Sequence, residues 1–184
     1  MTARLRAVER TNAFKCYYSE SFRYMTTIET DMSERQFGAW LGTPMADDDI
    51  DALLSSAGYG ILSLARGDEA YAIPVSIGYD RADRIFLVLL ETAPPQQKFE
   101  FVEATERGCL TVTDIASRFN WKSVIVQGPL EEIETDGEAF EELLAAMDDN
   151  AWFSRTFVRD SGLHSVRGFV LEAESVSGLQ KRGE

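Results

Sequence analysis

The chain is poor in the residue types on which most metal and thiol chemistry depends. Its 184 residues include one histidine, His164, and two cysteines, Cys16 and Cys109, which stand far apart. Neither their spacing nor their surroundings match a metal-ligand motif. The pattern argues against a histidine-based metal site. It favours Cys109, which lies in an apolar run, as a small buried hydrophobe rather than a disulfide partner or a nucleophile.

Long apolar runs are also missing. No stretch approaches the ~18 consecutive apolar residues that a membrane-spanning helix needs. The first ten residues carry charge without an apolar run behind them, so they do not resemble a secretory signal. With five prolines and 45% apolar residues, the sequence predicts a single soluble domain in the cytoplasm.

Lysine is scarce, and negative charge dominates. The net charge is -13, and the four lysines are Lys15, Lys98, Lys122 and Lys181. Such an acidic surface repels phosphate backbones and anionic lipid, which argues against nucleic-acid and membrane partners. It is also the surface that a high-salt cytoplasm favours, because dense carboxylates hold water. We expect a salt-loving source; an ordinary acidic bacterial or archaeal protein is the alternative.

The N-terminal segment differs in charge from the rest of the chain. The first 24 residues are net basic, the remainder is strongly acidic, and Met25 and Met32 are both candidates for the true start. We interpret residues 1–31 as a disordered or mis-assigned extension, with a genuine basic arm as the alternative. Residues 32–184 are then the folded domain.

Turn residues and apolar periodicity predict six short strands and three helices. The strands are expected at 59–65, 71–80, 84–90, 108–114, 121–134 and 166–176, with a loop at 115–120. The helices are expected at 47–58, capped by an aspartate, at 96–105, ended by Gly108, and at 138–148. A bend is expected at Gly128-Pro129. Tight hairpins with few helices indicate a closed or nearly closed antiparallel barrel.

Pro74 stands inside the predicted strand 71–80 and calls for an explanation. Proline removes a donor from a strand ladder, so it is usually kept out of central strands. The strand therefore lies at an edge, beside a bulge, or where a ligand takes the place of a neighbour. A flavin ring needs a flat wall and backbone donors and acceptors along its polar edge, and Ser76 adds a hydroxyl. A plain edge strand is the alternative.

Two further segments carry candidate binding residues. Lys98 lies in the first turn of a predicted helix, where free backbone N–H groups, the positive helix end and an ammonium would hold a phosphate. Trp121 stands two residues before Ser123, so that the indole would stack on a ring and the hydroxyl would bind a phosphate or ribityl group. A surface lysine and a core tryptophan are the alternatives. Nucleophile-elbow, Walker and dinucleotide-binding motifs are missing.

In their order and spacing, these segments resemble the pyridoxamine 5′-phosphate oxidase-like family of FMN-binding split barrels. The resemblance is carried by 58–65 (GYGILSLA), 71–79 (YAIPVSIGY), Lys98 and 121–128 (WKSVIVQG), and runs from about Asp47 to Gly178, the glycine expected to end the last strand. It implies a mainly β fold with inserted helices, namely a six-stranded antiparallel split barrel.

The resemblance also implies a homodimer that holds two FMN molecules at its interface. The residues matched to the cofactor site are Ile73, Pro74, Val75, Ser76, Leu89, Leu90, Gln97, Lys98, Trp121 and Ser123, the last two from the same chain or its partner. The implied activity is that of an FMN-dependent oxidoreductase of unknown substrate. Hydride transfer is the flavin's own chemistry and demands no acid–base cluster.

The sequence departs from the family pattern in two places. Leu89-Leu90-Glu91 replaces a small or His-Ser-like pair before a Gly-Arg/Lys turn, and it puts a carboxylate near the expected phosphate site. The arginine-rich C-terminal signature of true pyridoxamine phosphate oxidases is missing, so vitamin B6 oxidation is not the favoured activity. The alternatives are a non-catalytic carrier or sensor of flavin or of haem, the latter with His164 as axial ligand, and an interaction dimer without cofactor.

Overall fold

The computed structural model describes residues 42–91, 97–134, 137–148 and 165–183, which form eight strands and three helices. The expected extension at 1–31 lies outside these residues. In chain order the elements are β1 (Thr43–Pro44), α1 (Asp47–Ala57), β2 (Tyr59–Arg66), β3 (Glu69–Tyr79), β4 (Arg84–Glu91), α2 (Gln97–Ala104), β5 (Arg107–Ser117), β6 (Asn120–Ile133), α3 (Glu138–Asp148), β7 (Ser165–Glu172) and β8 (Ser175–Lys181).

Six strands close into an antiparallel barrel. Their order around the barrel is β6-β5-β2-β3-β4-β7, and β7 pairs again with β6. Along residues 121–127 of β6, the sheet continues through β8 to the two-residue strand β1. The predicted six-stranded antiparallel barrel is confirmed.

One edge of β6 is shared between two neighbours. Residues 121–127 pair with β8, whereas residues 130–133 pair with β7. Gly128 lies at the change-over, and a Cβ atom there would stand 1.7 Å from the carbonyl oxygen of Glu172. The predicted bend at Gly128-Pro129 is thus the point at which the strand changes partners.

The barrel encloses the main hydrophobic core. Inward-facing side chains alternate along the strands, as a pleated sheet with one buried face requires; Leu62, Leu110, Val112, Val124 and Val126 are fully buried. The apolar face of α1 and that of α2 complete this core through Ile50, Leu53, Leu54, Phe99, Phe101 and Val102. α1 ends at Gly58, whose φ of 66° is the left-handed conformation that glycine adopts easily.

A second cluster lies outside the barrel, under α3. Its buried members are Phe86, Val88, Ile133, Phe140, Leu143 and Met147. The helix approaches β3 so closely that a Cβ atom at Gly78 would stand 2.7 Å from the carbonyl carbon of Ala146. α3 therefore covers the outer side of β4 and β7, while the outer side of β2, β5 and β6 carries exposed apolar side chains.

The prediction of one final strand at 166–176 is wrong. β7 ends at Glu172 and β8 begins at Ser175, so Gly178 lies within β8 rather than at a strand end. The turn is held by backbone bonds from distant segments: Ala173 donates to the carbonyl of Asp83 at 2.8 Å, and Glu174 donates to that of Gln127 at 3.0 Å.

Three local expectations are also corrected. The expected loop at 115–120 belongs mostly to a hairpin, because Ile115 pairs with Trp121 and Ser117 with Asn120 across a register irregularity. The N-cap of α1 is Ala46, which makes no side-chain cap bond, and the aspartates occupy the first turn. α2 ends at Ala104, and Gly108 already belongs to β5.

Candidate functional site

The barrel opens between β3 and β4. β3 pairs with β2 from Glu69 to Ser76, but its ladder with β4 covers only Ser76 to Tyr79. β4 is paired with β7 over its whole length, from Arg84 to Glu91, but beyond Val88 it has no pairing with β3. Within the described strands, residues 69–75 therefore have a sheet neighbour on one side alone, and we call this opening the β3–β4 gap.

Side chains alternate between the two sides of the gap. Continuing the register would set Val75 against Leu89 and Pro74 against Leu90. Val75 and Leu89 are buried in the barrel core, whereas Pro74 is exposed and Leu90 borders the cluster under α3. The outer surface of the gap thus presents Pro74 and Leu90.

The remaining residues predicted on these strands contribute in different ways. Ile73 packs against the barrel core and, like Val75 and Leu89, offers its backbone rather than its side chain. Ser76 is half-buried, and its backbone is paired with both Tyr59 and Val88. The open stretch of backbone is therefore 69–75 and does not include Ser76.

Lys98 brings a positive charge to the gap. It lies in the first turn of α2, and its ammonium donates a hydrogen bond to the backbone carbonyl of Leu90. Burial lowers the pKa of Lys98, while the nearby carboxylate of Glu91 opposes that shift. Lys98 and Leu90 thus meet at the end of β4. Gln97, the first residue of α2, is exposed beside them.

α2 seals the inner side of the open half of β3. The ring of Tyr71 stacks on that of Phe101 with 4.9 Å between centroids. Thr105, at the end of the helix, accepts a hydrogen bond from the backbone N–H of Ala65 and donates to the carbonyl of Phe101. Among the described residues, the gap is therefore closed by α2 toward the core and uncovered at Pro74 on its outer side.

Trp121 and Ser123 lie in a part of the chain away from the β3–β4 gap. Both are on β6, and two strands, β5 and β2, stand between β6 and β3 in the sheet. Trp121 pairs with Ile115 and Lys181, and its ring lies so close to Gly42 that a Cβ atom there would be 2.6 Å from Cη2. The fold of one chain therefore does not bring these two residues to the gap.

The arrangement at the gap fits a flat, polar-edged, anionic ligand. A ring needs apolar contacts on its face, and Pro74 and Leu90 supply them. The open strand edge offers backbone N–H and carbonyl groups, which bind strongly when shielded from water. The ammonium of Lys98 is placed to bind a phosphate. A flavin phosphate has each of these features.

A closed six-stranded antiparallel barrel with three helices defines the split-barrel class. The family model described as pyridoxamine 5′-phosphate oxidase matches residues 46–178. The chain belongs to this family, as its sequence indicated.

Solved structures show the same fold at low sequence identity. A FAD-binding protein from Mesorhizobium loti is 23% identical with a TM-score of 0.59, covering 78% of this chain and 98% of its own. A FAD- and haem-binding protein from Mycobacterium smegmatis is 19% identical (TM-score 0.57, 75% and 72%). A flavocytochrome from Azotobacter vinelandii is also 19% identical (TM-score 0.54, 78% and 71%). No curated protein matches the sequence.

Two further expectations concern metals and membranes. No cluster of three or more histidine, cysteine or acidic side chains suited to a metal occurs among the described residues. Among the same residues, no helix is long and apolar enough to cross a membrane. His164, the expected haem ligand, lies outside the part of the chain that the structure describes.

Proposed function

We propose that the protein is a flavin-binding oxidoreductase that holds FMN at the β3–β4 gap. The observation that carries the proposal is an open strand edge at 69–75 together with the ammonium of Lys98, which is bonded to the end of the neighbouring strand β4. Family membership supports it, as do the flavins named for the structures from Mesorhizobium and Mycobacterium. Those proteins name FAD, so the choice of FMN is the finer part of the proposal.

Each element of the gap has a distinct task in this proposal. Bound FMN would supply the hydride chemistry. The open backbone of β3 would bind the polar edge of the ring, and the side chains of Pro74 and Leu90 would exclude water from its face. Lys98 would hold the phosphate and fix the orientation of the cofactor. No side chain of the site is required to move a proton, which agrees with the lack of a catalytic motif.

We also propose that the protein is a homodimer. The large apolar side chains that are exposed among the described residues are Tyr59, Ile61, Ile115, Phe119 and Ile125, and all lie on β2, β5, β6 or the hairpin between the last two. Such a concentration on one face is typical of a surface that a partner covers. A second copy on this face would bring its Trp121 and Ser123 toward the β3–β4 gap of the first, where they would complete the site.

A spectroscopic titration tests the proposal. The purified protein is mixed with FMN, FAD and riboflavin in separate experiments, and the flavin absorbance near ~450 nm and the quenching of fluorescence give each Kd. FMN is expected to bind more tightly than riboflavin, because Lys98 contacts the phosphate. A protein that binds none of the three contradicts the proposal, and tighter binding of FAD corrects the choice of flavin. Loss of the flavin absorbance on addition of a nicotinamide donor would indicate an enzyme, whereas an unchanged absorbance would indicate a carrier.

A further inference from the structure

The guanidinium group of Arg167, on β7, joins three elements beside the gap. It forms a two-pronged ion pair with Glu132 on β6, at 2.7 and 2.6 Å, and a third bond with Glu103 on α2 at 2.8 Å. It also lies 4.8 Å from the centroid of the Phe99 ring. The Arg167 side chain is 21% exposed, so water screens these contacts less than those of an ordinary surface pair.

The positive charge of Arg167 is neutralised by neighbouring carboxylates, so Arg167 is not itself available to bind an anion. Its bonds to Glu132 and Glu103 raise its pKa, and the bond to Arg167 lowers the pKa of Glu132. Arg167 and Glu132 are therefore charged together at neutral pH, and two carboxylates surround one guanidinium. A ligand phosphate would therefore gain little from Arg167.

Arg167 fixes α2 at two points that are one helical turn apart. Phe99 and Glu103 stand at positions i and i+4, so they lie on the same face of the helix. Because one guanidinium contacts both, it restrains the rotation of α2 about its axis. Lys98 is adjacent to Phe99, and its ammonium lies 5.2 Å from the centroid of the same ring. A rotation of α2 would therefore move Lys98 away from Leu90.

We propose that Arg167 is a positioning residue for the flavin site: it holds α2 in the rotation that delivers the ammonium of Lys98 to the end of β4. The inference rests on the proposed function for its ligand, FMN, but the placement of Lys98 is measurable without any ligand. Its signal in the sequence is weak, namely a single arginine in the apolar segment Val166-Arg-Gly-Phe-Val170.

Arg66 offers a matched control. It also contacts α2, through a 2.9 Å ion pair with Glu100, and its guanidinium lies 4.7 Å from the ring of Phe101. Its side chain is twice as exposed as that of Arg167, at 42%. These contacts are with Glu100 and Phe101 rather than with Phe99 or Glu103, so the loss of Arg66 should loosen α2 without rotating Lys98 away.

The first measurement follows Lys98 itself in the ligand-free protein. The lysines are reductively methylated with ¹³C-formaldehyde, and the Lys98 resonance, assigned by its loss in Lys98→Arg, is titrated with pH. In Arg167→Lys, which keeps the charge but loses the planar fork, the pKa of Lys98 should rise toward its ordinary value. Arg66→Lys should leave it as in the wild type. An unchanged Lys98 pKa in Arg167→Lys overturns the inference, whether or not FMN binds.

The second measurement is a double-mutant cycle on the Kd for FMN. Arg167→Gln should weaken binding about 3- to 30-fold, the range expected for coupled residues in contact, and Arg66→Gln by less than about twofold. In the Lys98→Ala background, Arg167→Gln should change the Kd by less than about twofold, because its effect passes through Lys98. If Arg167→Gln weakens FMN binding equally in the wild type and in Lys98→Ala, the inference is overturned. If Arg167→Gln does not fold, Glu103→Gln, which leaves the pair with Glu132 intact, takes its place in both measurements.

Discussion

The ammonium of Lys98 bonds to the backbone carbonyl of Leu90, two residues beyond the last pair that β4 forms with β3. This contact joins the start of α2 to the edge of the β3–β4 gap. It places one of the chain's four lysines at the point where the barrel exposes unpaired backbone. The contact makes the charge of Lys98 the first feature to test.

Lys98→Ala should weaken FMN binding about 10- to 100-fold, because a hydrogen bond to a charged group contributes about 1.5–3 kcal/mol. Riboflavin, which lacks the phosphate, should lose much less. Arg107→Ala, which removes an exposed positive charge on β5 that pairs with Glu174, is the control. Fluorescence titration gives the constants, and equal losses for FMN and riboflavin would show that Lys98 does not contact the phosphate.

The same residue predicts a pH dependence. The ammonium binds phosphate only when protonated, and burial lowers the pKa of Lys98 below that of an ordinary lysine. The Kd for FMN should therefore increase as the pH rises through this lowered pKa, while Lys98→Ala should show no such step. A wild-type Kd that stays constant up to the pH at which the protein unfolds would contradict this prediction.

Glu91→Gln should strengthen FMN binding by about two- to fivefold, the range of a partly exposed charge pair. The Glu91 carboxylate acts on Lys98 and would repel a phosphate held by the same ammonium. Glu106→Gln removes the same charge from an exposed position just before β5 and should leave the Kd unchanged. Weaker binding in Glu91→Gln would assign this carboxylate a supporting role at the site.

Gly128→Ala should destabilise the fold by about 3 kcal/mol or more, since the added Cβ would overlap the Glu172 carbonyl and the backbone would have to move. Gly137→Ala is the control, because its Cβ would meet its nearest neighbour, the carbonyl oxygen of Glu134, at an ordinary 3.6 Å. The free energy of unfolding of the Gly137→Ala variant should change by less than about 1 kcal/mol. Urea denaturation followed by circular dichroism measures both, and similar midpoints for the two variants would refute the close approach.

Ile61→Glu should convert the proposed dimer into a monomer of 20.6 kDa. Ile61 is 40% exposed on the uncovered outer side of β2, and a carboxylate buried in an interface carries a large desolvation cost. Ala139→Glu, on the exposed side of α3, should leave the mass doubled. Size-exclusion chromatography with light scattering measures the molar mass of each variant. A wild-type protein that elutes as a monomer would contradict the proposed interface.

The barrel was predictable because its signals are local. Alternating apolar residues and the turn at Gly58 define elements within a few positions of one another. The break between β7 and β8 was not, because Ala173-Glu174 is an ordinary pair of residues and the turn is fixed by the carbonyls of Asp83 and Gln127. The separation of Trp121 from Pro74 could not be predicted either, because it depends on the order of the strands in the sheet. Arg167 acquires its role through Glu103 and Glu132, which are 64 and 35 positions away.

The open edge at 69–75 has a consequence for the protein before any ligand arrives. An unpaired strand edge can template the addition of strands from other molecules, and natural proteins guard such edges with proline and charge. Pro74 lies near the end of the stretch and Glu69 at its beginning. The proline that first suggested a ligand also guards against aggregation: it lets the chain keep a bare backbone edge for binding without recruiting its own copies into fibres.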